Sequence, residues 1–369
     1  MKKAAVIGLG IGMAHVAGYL DSQDVELYAV CDLMKERLAS IGGTFDQRSM
    51  LCLKPLFSNE ILGKHWENIG VKCSTSIEKV MEDPQVDIVS ICTPDYLHTE
   101  HLSMAMAYGK HILLEKPVSI HMKEAIALQH KVANYPAHIA MDYEFRVIPA
   151  IEKIKQLVES GEIGTVEAFS LYHFRTPFRR DKWHNWIQKR AYSGGLVIEE
   201  TCHWFDLAQY LTGKKIAEVH CVTTDTVHKD FDYEDIAYIN GTFEGGGIMQ
   251  ISHALSGFDF SLQITVHGTD GAIWCGLKEE QYSSLDNGST KYLGIVSMGK
   301  TGESPRDAVV WTYGKEATEP YAIQKMVKSF CHRVVHDEPQ IATFDDGCSS
   351  LKVAERSLQS AREKCIVKI

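Results

Sequence analysis

Four side chains between Glu199 and Tyr210 are of the types that proton chemistry needs. The run Gly194-Gly-Leu-Val-Ile-Glu-Glu-Thr-Cys-His-Trp-Phe-Asp206 continues to Tyr210 and stops at Gly213. Read as one helix at about 100° per residue, it brings Glu199, His203, Asp206 and Tyr210 within about 60° of one another. Trp204, Phe205, Leu207, Ala208 and Leu211 take the other side. The polar face carries no Lys or Arg. It reads either as a solvated surface or as a site, in which a histidine titrating near neutral pH is oriented by acids.

A second set suits a nucleotide. In Val6-Ile-Gly-Leu-Gly-Ile-Gly-Met-Ala-His15 a strand runs into a helix. Gly8 allows a tight turn. Gly10, beside Ile11 and Gly12, lets a pyrophosphate approach amides at the helix N-terminus, where the dipole favours anions. The third glycine of the usual fingerprint falls at Met13, so the pattern is G-x-G-x-G. Asp32 follows the next strand, 22 positions after Gly10, where a carboxylate accepts from an adenine-ribose diol and repels a 2′-phosphate. NAD is therefore favoured over NADP. Two other readings stay open: Asp32 as N-cap of a helix Met34–Ser40, and Lys35 and Arg37 as partners of a phosphate. Thr93-Pro94, His98 and Glu115-Lys116-Pro117 follow later strands, where ligands of such sheets bind. Lys116 reads equally well as a site residue or as a surface lysine.

The elements that must carry these groups follow from periodicity. Strands are predicted at Ala4–Gly8, Val25–Cys31, Val86–Cys92, His111–Leu114 and Ala137–Met141. Helices are predicted at Gly12–Leu20, from His98 to Tyr108 and at Lys123–Asn134. Val- and Ile-rich strands alternating with helices make a doubly wound parallel (Rossmann) sheet over residues 1–143. Residues 42–68 break the alternation and read as an insertion, either a lid or a decoration. Beyond Phe145 a helix Ile148–Ser160 precedes alternating runs at Thr165–Phe174, Ile216–Val227, Ile236–Leu255 and Phe260–His267, separated by tight glycine turns. These predict an α+β domain over 144–369 with a large, mostly antiparallel sheet. Terminal helices near Tyr321–His336 and Gly347–Lys364 are free to pack back on the first domain.

Composition excludes several classes. The 369 residues are 45% apolar and 23% charged, with a net charge of −10 and no basic stripe, so nucleic acid is disfavoured. No apolar run reaches the roughly 18 residues of a membrane span. The ten cysteines form no close pairs, which fits a reducing, cytoplasmic compartment. Neither His98-x-x-His101 nor Cys202-His203 completes a four-ligand set, so no metal is expected. Trp183 and Trp186 could stack on a sugar ring while His184, Asn185 and neighbouring arginines bind hydroxyls; a subunit interface would use the same residues.

The chain resembles the glucose–fructose oxidoreductase/inositol dehydrogenase (Gfo/Idh/MocA) family. The resemblance rests on Gly8–Gly12, Asp32, Thr93-Pro94 with His98, and especially Glu115-Lys116-Pro117. It extends through Glu162-Ile-Gly-Thr-Val166 to Ser193-Gly-Gly-Leu, Glu199, His203 and Asp206. It implies an NAD-dependent dehydrogenase acting on a secondary hydroxyl of a sugar, glycoside or cyclitol. His203 would be the acid/base, Lys116 would hold the substrate oxygen and the nicotinamide ribose, and Glu199 would tune the imidazole. Gly8, Gly10, Ile11, Gly12, Asp32, Arg37, Thr93, Pro94, His98, Glu115 and Lys116 would line the cofactor. The chain departs from the family pattern at Ser193 and Thr201, which replace glycines, and at Glu199, one methylene longer than the usual Asp. Two other activities fit relatives of this kind, a redox-assisted glycosidase or lyase and a non-catalytic cofactor- or sugar-sensing regulator. The family also implies a homodimer or homotetramer joined through the open face of the second-domain sheet.

Overall fold

The computed structural model describes residues 1–45, 53–177, 183–257, 260–278 and 294–369. The chain forms two compact units. One contains Met1–Ser119, Lys123–Glu144 and Glu319–Cys348, and the other contains Ile120–Met122, Phe145–Thr318 and Ser349–Ile369.

The first unit is built on six parallel strands: β1 (Lys2–Ile7), β2 (Val25–Cys31), β3 (Lys72–Ser74), β4 (Ile88–Ile91), β5 (His111–Glu115) and β6 (Ile139–Asp142). Their order is β3-β2-β1-β4-β5-β6, the doubly wound arrangement expected from the alternation. Helices α1 (Gly12–Leu20), α2 (Ile77–Glu82), α3 (His98–Ala107) and α4 (Met122–Ala133) make the crossovers. Every residue of β4 is buried, as a strand covered on both faces requires. Strand order reverses between β1 and β4, and that switch point is where a ligand crevice opens in such sheets.

The segment read as an insertion contributes to this core. Ile41 accepts from the Gly63 amide at 2.9 Å and donates to the Lys64 carbonyl at 3.0 Å. Leu53, Phe57 and Trp66 are buried with α1 and β2. The aromatics that broke the periodicity are thus core residues without a secondary-structure period of their own. Residues 46–52 of the segment lie outside the described residues.

The second unit starts with α5 (Pro149–Glu159) and carries three closely spaced helices, α6 (Arg190–Ser193), α7 (Leu196–Glu199) and α8 (Thr201–Thr212). Its sheet comprises β7 (Val166–Phe174), β8 (Ile216–Thr224), β9 (Ile236–Phe243), β10 (Ile248–Ala254), β11 (Ser261–Gly268), β12 (Gly271–Lys278), β13 (Gly294–Lys300), β14 (Val309–Tyr313) and β15 (Val367–Lys368). The order is β14-β13-β12-β11-β7-β10-β9-β8-β15. Pairing is antiparallel apart from β7 with β10, so the sheet is mostly antiparallel as predicted. Strands β12 to β14 extend it beyond the last strand read from sequence.

The helix α9 (Glu319–His336) belongs to the first unit, while α10 (Phe344–Glu363) begins there and continues in the second. Helices α1 and α9 cross at Gly18, where a Cβ would lie 2.6 Å from Val327 Cβ. Only glycine permits that approach.

Candidate active site

Gly8 sits at the end of β1 with φ +91°, and a Cβ there would stand 2.3 Å from the Cys92 carbonyl oxygen at the end of β4. Both the left-handed backbone and the lack of space demand glycine. The chain turns out over Gly10 and Ile11, which are exposed, into α1. No side chain caps the first turn of α1; the Met13 and Ala14 amides donate to the Gly10 and Ile11 carbonyls, so an anion here would be met by the amides that precede them. Gly12 has a role that the G-x-G-x-G spacing left unassigned. A Cβ on Gly12 would meet Val6 Cγ1 at 3.0 Å and Cys92 Cβ at 3.2 Å, whereas Met13 is buried in the core. Gly12, one position earlier than Met13, does the helix-to-strand packing of the fingerprint's third glycine, and the loop is one residue shorter.

Asp32 holds this loop. Its Oδ2 accepts from the Leu9 amide at 2.8 Å and from Arg37 Nη1 at 3.2 Å, and its Oδ1 accepts from the Met34 amide at 2.8 Å. The cap-like and loop-facing roles therefore coexist. The helix expected at Met34–Ser40 is a short 3-10 turn, Lys35–Leu38.

The later strand ends are held by buried histidines. His98, fully buried, faces the Pro117 carbonyl through Nδ1 at 2.6 Å and the Thr93 carbonyl through Nε2 at 2.9 Å. It fastens the Thr93-Pro94 turn to the Glu115-Lys116-Pro117 turn. Burial is the main influence on its pKa, which is lowered. Thr93 Oγ1 lies 2.9 Å from His101 Nδ1. Glu115 ends β5 with Oε1 3.1 Å from His15 Nε2, and the Asp142 Oδ2 at the end of β6 is 3.0 Å from the same nitrogen. Burial disfavours a charged His15, but Cys92, Asp142 and Glu115 outweigh it and hold its pKa well above the imidazole range. Burial pushes Asp142 up to about 6. Glu115 is lowered, its contacts with His15 overcoming burial. Lys116 follows directly and is half-buried.

In the second unit the expected single helix is broken. Glu200, with φ −118° and ψ −36°, separates α7 from α8, leaving Glu199 at the end of one helix and His203 in the first turn of the next. Both side chains are buried. The His203 ring packs edge-on against Phe145 at 5.1 Å. The Glu234 carboxylate accepts from the Val197 amide at 3.2 Å and pairs with Arg190, which anchors the start of α7. Asp206 and Tyr210, grouped with them in the helical reading, are occupied structurally. Asp206 takes Arg146 Nε at 2.8 Å and Nη2 at 2.5 Å, both side chains buried. The Arg146 guanidinium also lies 4.6 Å over the Tyr210 ring. The polar face lacked a cation in sequence because its cation comes from another element. Trp186 is half-buried in the 3-10 turn Trp183–Gln188; the side chains of Trp183 and His184 lie outside the described residues.

Sequence reasoning missed Asp142, Arg146 and a cluster of His173, Arg175, Glu200 and His253. One signal was present: His173 and His253 occupy inward positions of β7 and β10, where the alternation otherwise supplies Phe169, Leu171, Met249 and Ile251.

Comparison with known proteins bears on these features. Residues 2–143 match a family model described as an oxidoreductase family with an NAD-binding Rossmann fold, and residues 151–274 match the GFO/IDH/MocA C-terminal domain. An uncharacterized oxidoreductase of Bacillus subtilis, YrbE, is 31% identical over 272 residues, covering 72% of this chain and 71% of its own. Myo-inositol 2-dehydrogenase of Thermotoga maritima is 25% identical, covering 100% of this chain and 98% of its own. The structure of scyllo-inositol dehydrogenase from Lactobacillus casei, with NAD(H) and scyllo-inositol, superposes with a TM-score of 0.74 at 18% identity, covering 100% and 99% of the two chains.

Proposed function

The chain belongs to the Gfo/Idh/MocA oxidoreductase family, and from that premise we propose that it oxidises a secondary hydroxyl of a sugar, glycoside or cyclitol with NAD. The observation that carries the reading is the cradle at the β1/β4 switch point. There Gly8 admits no side chain, the α1 amides are uncapped, and Asp32 follows β2. These groups fit a dinucleotide: the amides of Gly10, Ile11 and Gly12 would take the pyrophosphate and Asp32 the adenine ribose. Thr93, Pro94 and Lys116 would border the nicotinamide half. Arg37, paired to Asp32, would flank the ribose. The substrate class is supported by relatives that act on inositols.

NAD, when bound, would supply the hydride acceptor at its nicotinamide ring. The chain's own residues do the rest. His203 would accept the hydroxyl proton as the carbinol carbon gives up its hydride to become a ketone, and the imidazolium would then release that one proton to solvent. Lys116 holds the reacting oxygen, and its positive charge favours the developing alkoxide. Glu199 orients the imidazole. Burial of His203 against Phe145 keeps bulk water from competing for that proton.

We further propose a homodimer or homotetramer formed through the outward sheet face, where Tyr172, Val222, Tyr238 and Trp274 are exposed. A cytoplasmic location accords with nine free cysteines among the described residues. No helix among those residues is long and apolar enough to cross a membrane.

The test follows NADH formation with myo-inositol, scyllo-inositol, levoglucosan and glucose. A substrate should appear among them, and His203→Asn and Lys116→Ala should each lower kcat by about 10²- to 10⁴-fold, with NAD still bound by His203→Asn. Release of an aglycone from a glycoside without net NADH would replace the dehydrogenase with the elimination chemistry. Full turnover in His203→Asn would remove the acid/base assignment.

A further inference from the structure

Glu199 and His203, the proposed dyad, lie on two helices rather than one, so their relative placement depends on the break at Glu200. The side chains around that break come from the sheet. His173 and Arg175 are at and just beyond the end of β7, and His253 on β10 is the register partner of His173 across the parallel pair. Glu200 Oε1 accepts from Arg175 Nη1 at 2.7 Å and from His173 Nε2 at 3.2 Å, while Oε2 lies 3.9 Å from His253 Nε2. The cluster is deeply buried, with His173 and His253 at 0% and Glu200 at 5% exposure. Burial alone would raise the Glu200 pKa, but Arg175, His173 and His253 hold it well below the usual carboxylate range.

The next residue ties the break in a second way. Thr201 Oγ1 donates to the Leu196 carbonyl at 3.1 Å, back across the junction, and lies 2.9 Å from His253 Nδ1. A hydroxyl that has donated its proton can only accept the second bond, so His253 carries its proton on Nδ1. His173 meets an acceptor at each nitrogen, the Ser261 carbonyl at 3.2 Å and Glu200. Contact then passes to the dyad directly. The His203 amide donates to the Glu200 carbonyl at 3.1 Å. The Trp204 ring stands 4.7 Å from His173 and 5.7 Å from His203.

We propose that Glu200 is a positioning residue, whose carboxylate, clamped by Arg175, His173 and His253, fixes the α7–α8 break and so sets His203 against Glu199. This rests on His203 being the proton acceptor. Losing the carboxylate would leave the half-buried Arg175 guanidinium and the His173 ring without their shared acceptor, a cost that a shift of the junction relieves. The clamp supplies a physical reason for two residues that depart from the family pattern or were unread in sequence. Thr201, in place of a glycine, provides the hydroxyl that spans the break, and Glu200 provides the charge that the sheet grips. His173, Glu200 and His253 are also spaced as metal ligands are. The Arg175 guanidinium already supplies the positive charge on that carboxylate, which disfavours a further cation.

The test compares wild type, Glu200→Gln, Glu200→Asp and His203→Asn in the full-length protein. Histidine-labelled protein without substrate reports the titration midpoint of the His203 ring by NMR. Turnover reports kcat, KM and the pH profile with whichever polyol reduces NAD. Glu200→Gln should move the His203 midpoint and the acid limb of the pH profile. It should also lower kcat about tenfold or more, short of the about 10²- to 10⁴-fold expected for an acid/base group itself, with NAD affinity unchanged. Glu200→Asp, which keeps the charge, should recover part of each, and it carries the same comparison if the amide variant does not fold. An unmoved His203 midpoint with wild-type kcat in Glu200→Gln, while His203→Asn is inactive, would overturn the positioning role alone. Full activity in His203→Asn would remove the acid/base reading and this role with it. A stoichiometric divalent metal in the purified protein would also overturn it.

Discussion

At the β1–α1 turn the chain shapes a ligand cradle with residues that lie side by side in sequence. At the α7–α8 junction it shapes the helix pair that carries the proposed dyad, with charges brought from β7, β10 and the turn Glu144–Val147. The first relies on what glycine lacks: space beside the Cys92 carbonyl and a left-handed φ at Gly8. The second relies on side chains that are hydrogen-bonded and charged inside a core. Removing one partner there leaves another buried and uncompensated. Backbone-shaped sites are compact in sequence and sensitive to any added atom. Charge-clamped sites are dispersed in sequence and sensitive to the loss of a partner.

The largest expected effect tests the charge-clamped side. Arg146→Met leaves Asp206 buried without its two guanidinium bonds, and should destabilise the second unit by about 3–5 kcal/mol. Urea unfolding followed by tryptophan fluorescence measures it, and NAD affinity should be unaffected. A loss under about 1 kcal/mol, the range of exposed pairs, would mean that the pair contributes no more than a surface contact. Next in size is Gly8→Ala. Left-handed strain of about 1–3 kcal/mol, added to the contact with Cys92, should weaken NAD binding by roughly 10- to 100-fold or more at 1.4 kcal/mol per tenfold. Calorimetric titration of NAD decides it, and wild-type affinity would show that the turn adjusts freely.

These two regions also mark what could be read from sequence. The Rossmann order, α1 with its glycines, and the placement of Asp32 follow from local periodicity and turn chemistry. So does the mostly antiparallel second sheet. The break at Glu200 did not follow, because no glycine or proline marks it. Partners from β7 and β10 hold it, and periodicity cannot see contacts between strands far apart in sequence. The same limit hid Arg146, so Asp206 and Tyr210 looked like members of a proton-transfer face. The packing role of Gly12 was not legible for a different reason: it rests on the distance to Val6 and Cys92, which spacing in the sequence does not give.

The smallest effect is one of pH and belongs to the first unit. Burial lowers His101 to about 4, with neighbouring His98 adding to it, and burial likewise takes His111 down to about 4. An unfolded chain protonates these histidines near 6.5, so between about 6.5 and 4 it binds more protons than the folded unit. The stability that these two histidines contribute should therefore be complete above about pH 6.5 and decline as pH falls toward 4. His101→Gln should flatten that decline in urea midpoints measured at pH 7 and pH 5. An equally steep decline in the variant would place the acid sensitivity elsewhere.

The crossing of Gly18 with Val327 carries a consequence for biosynthesis. Helix α1 and the edge strand β6 are completed by residues made last: Val327 fills the notch at Gly18, and the Ala342 carbonyl accepts from the Met141 amide at 3.1 Å. At about 5–20 residues per second, a ribosome needs roughly 10 to 35 s to pass from β6 to α9. Throughout that interval the nascent nucleotide-binding half exposes the apolar groove that α9 will fill. Chaperone capture during translation should therefore fall on the amino-terminal half and end when α9 emerges.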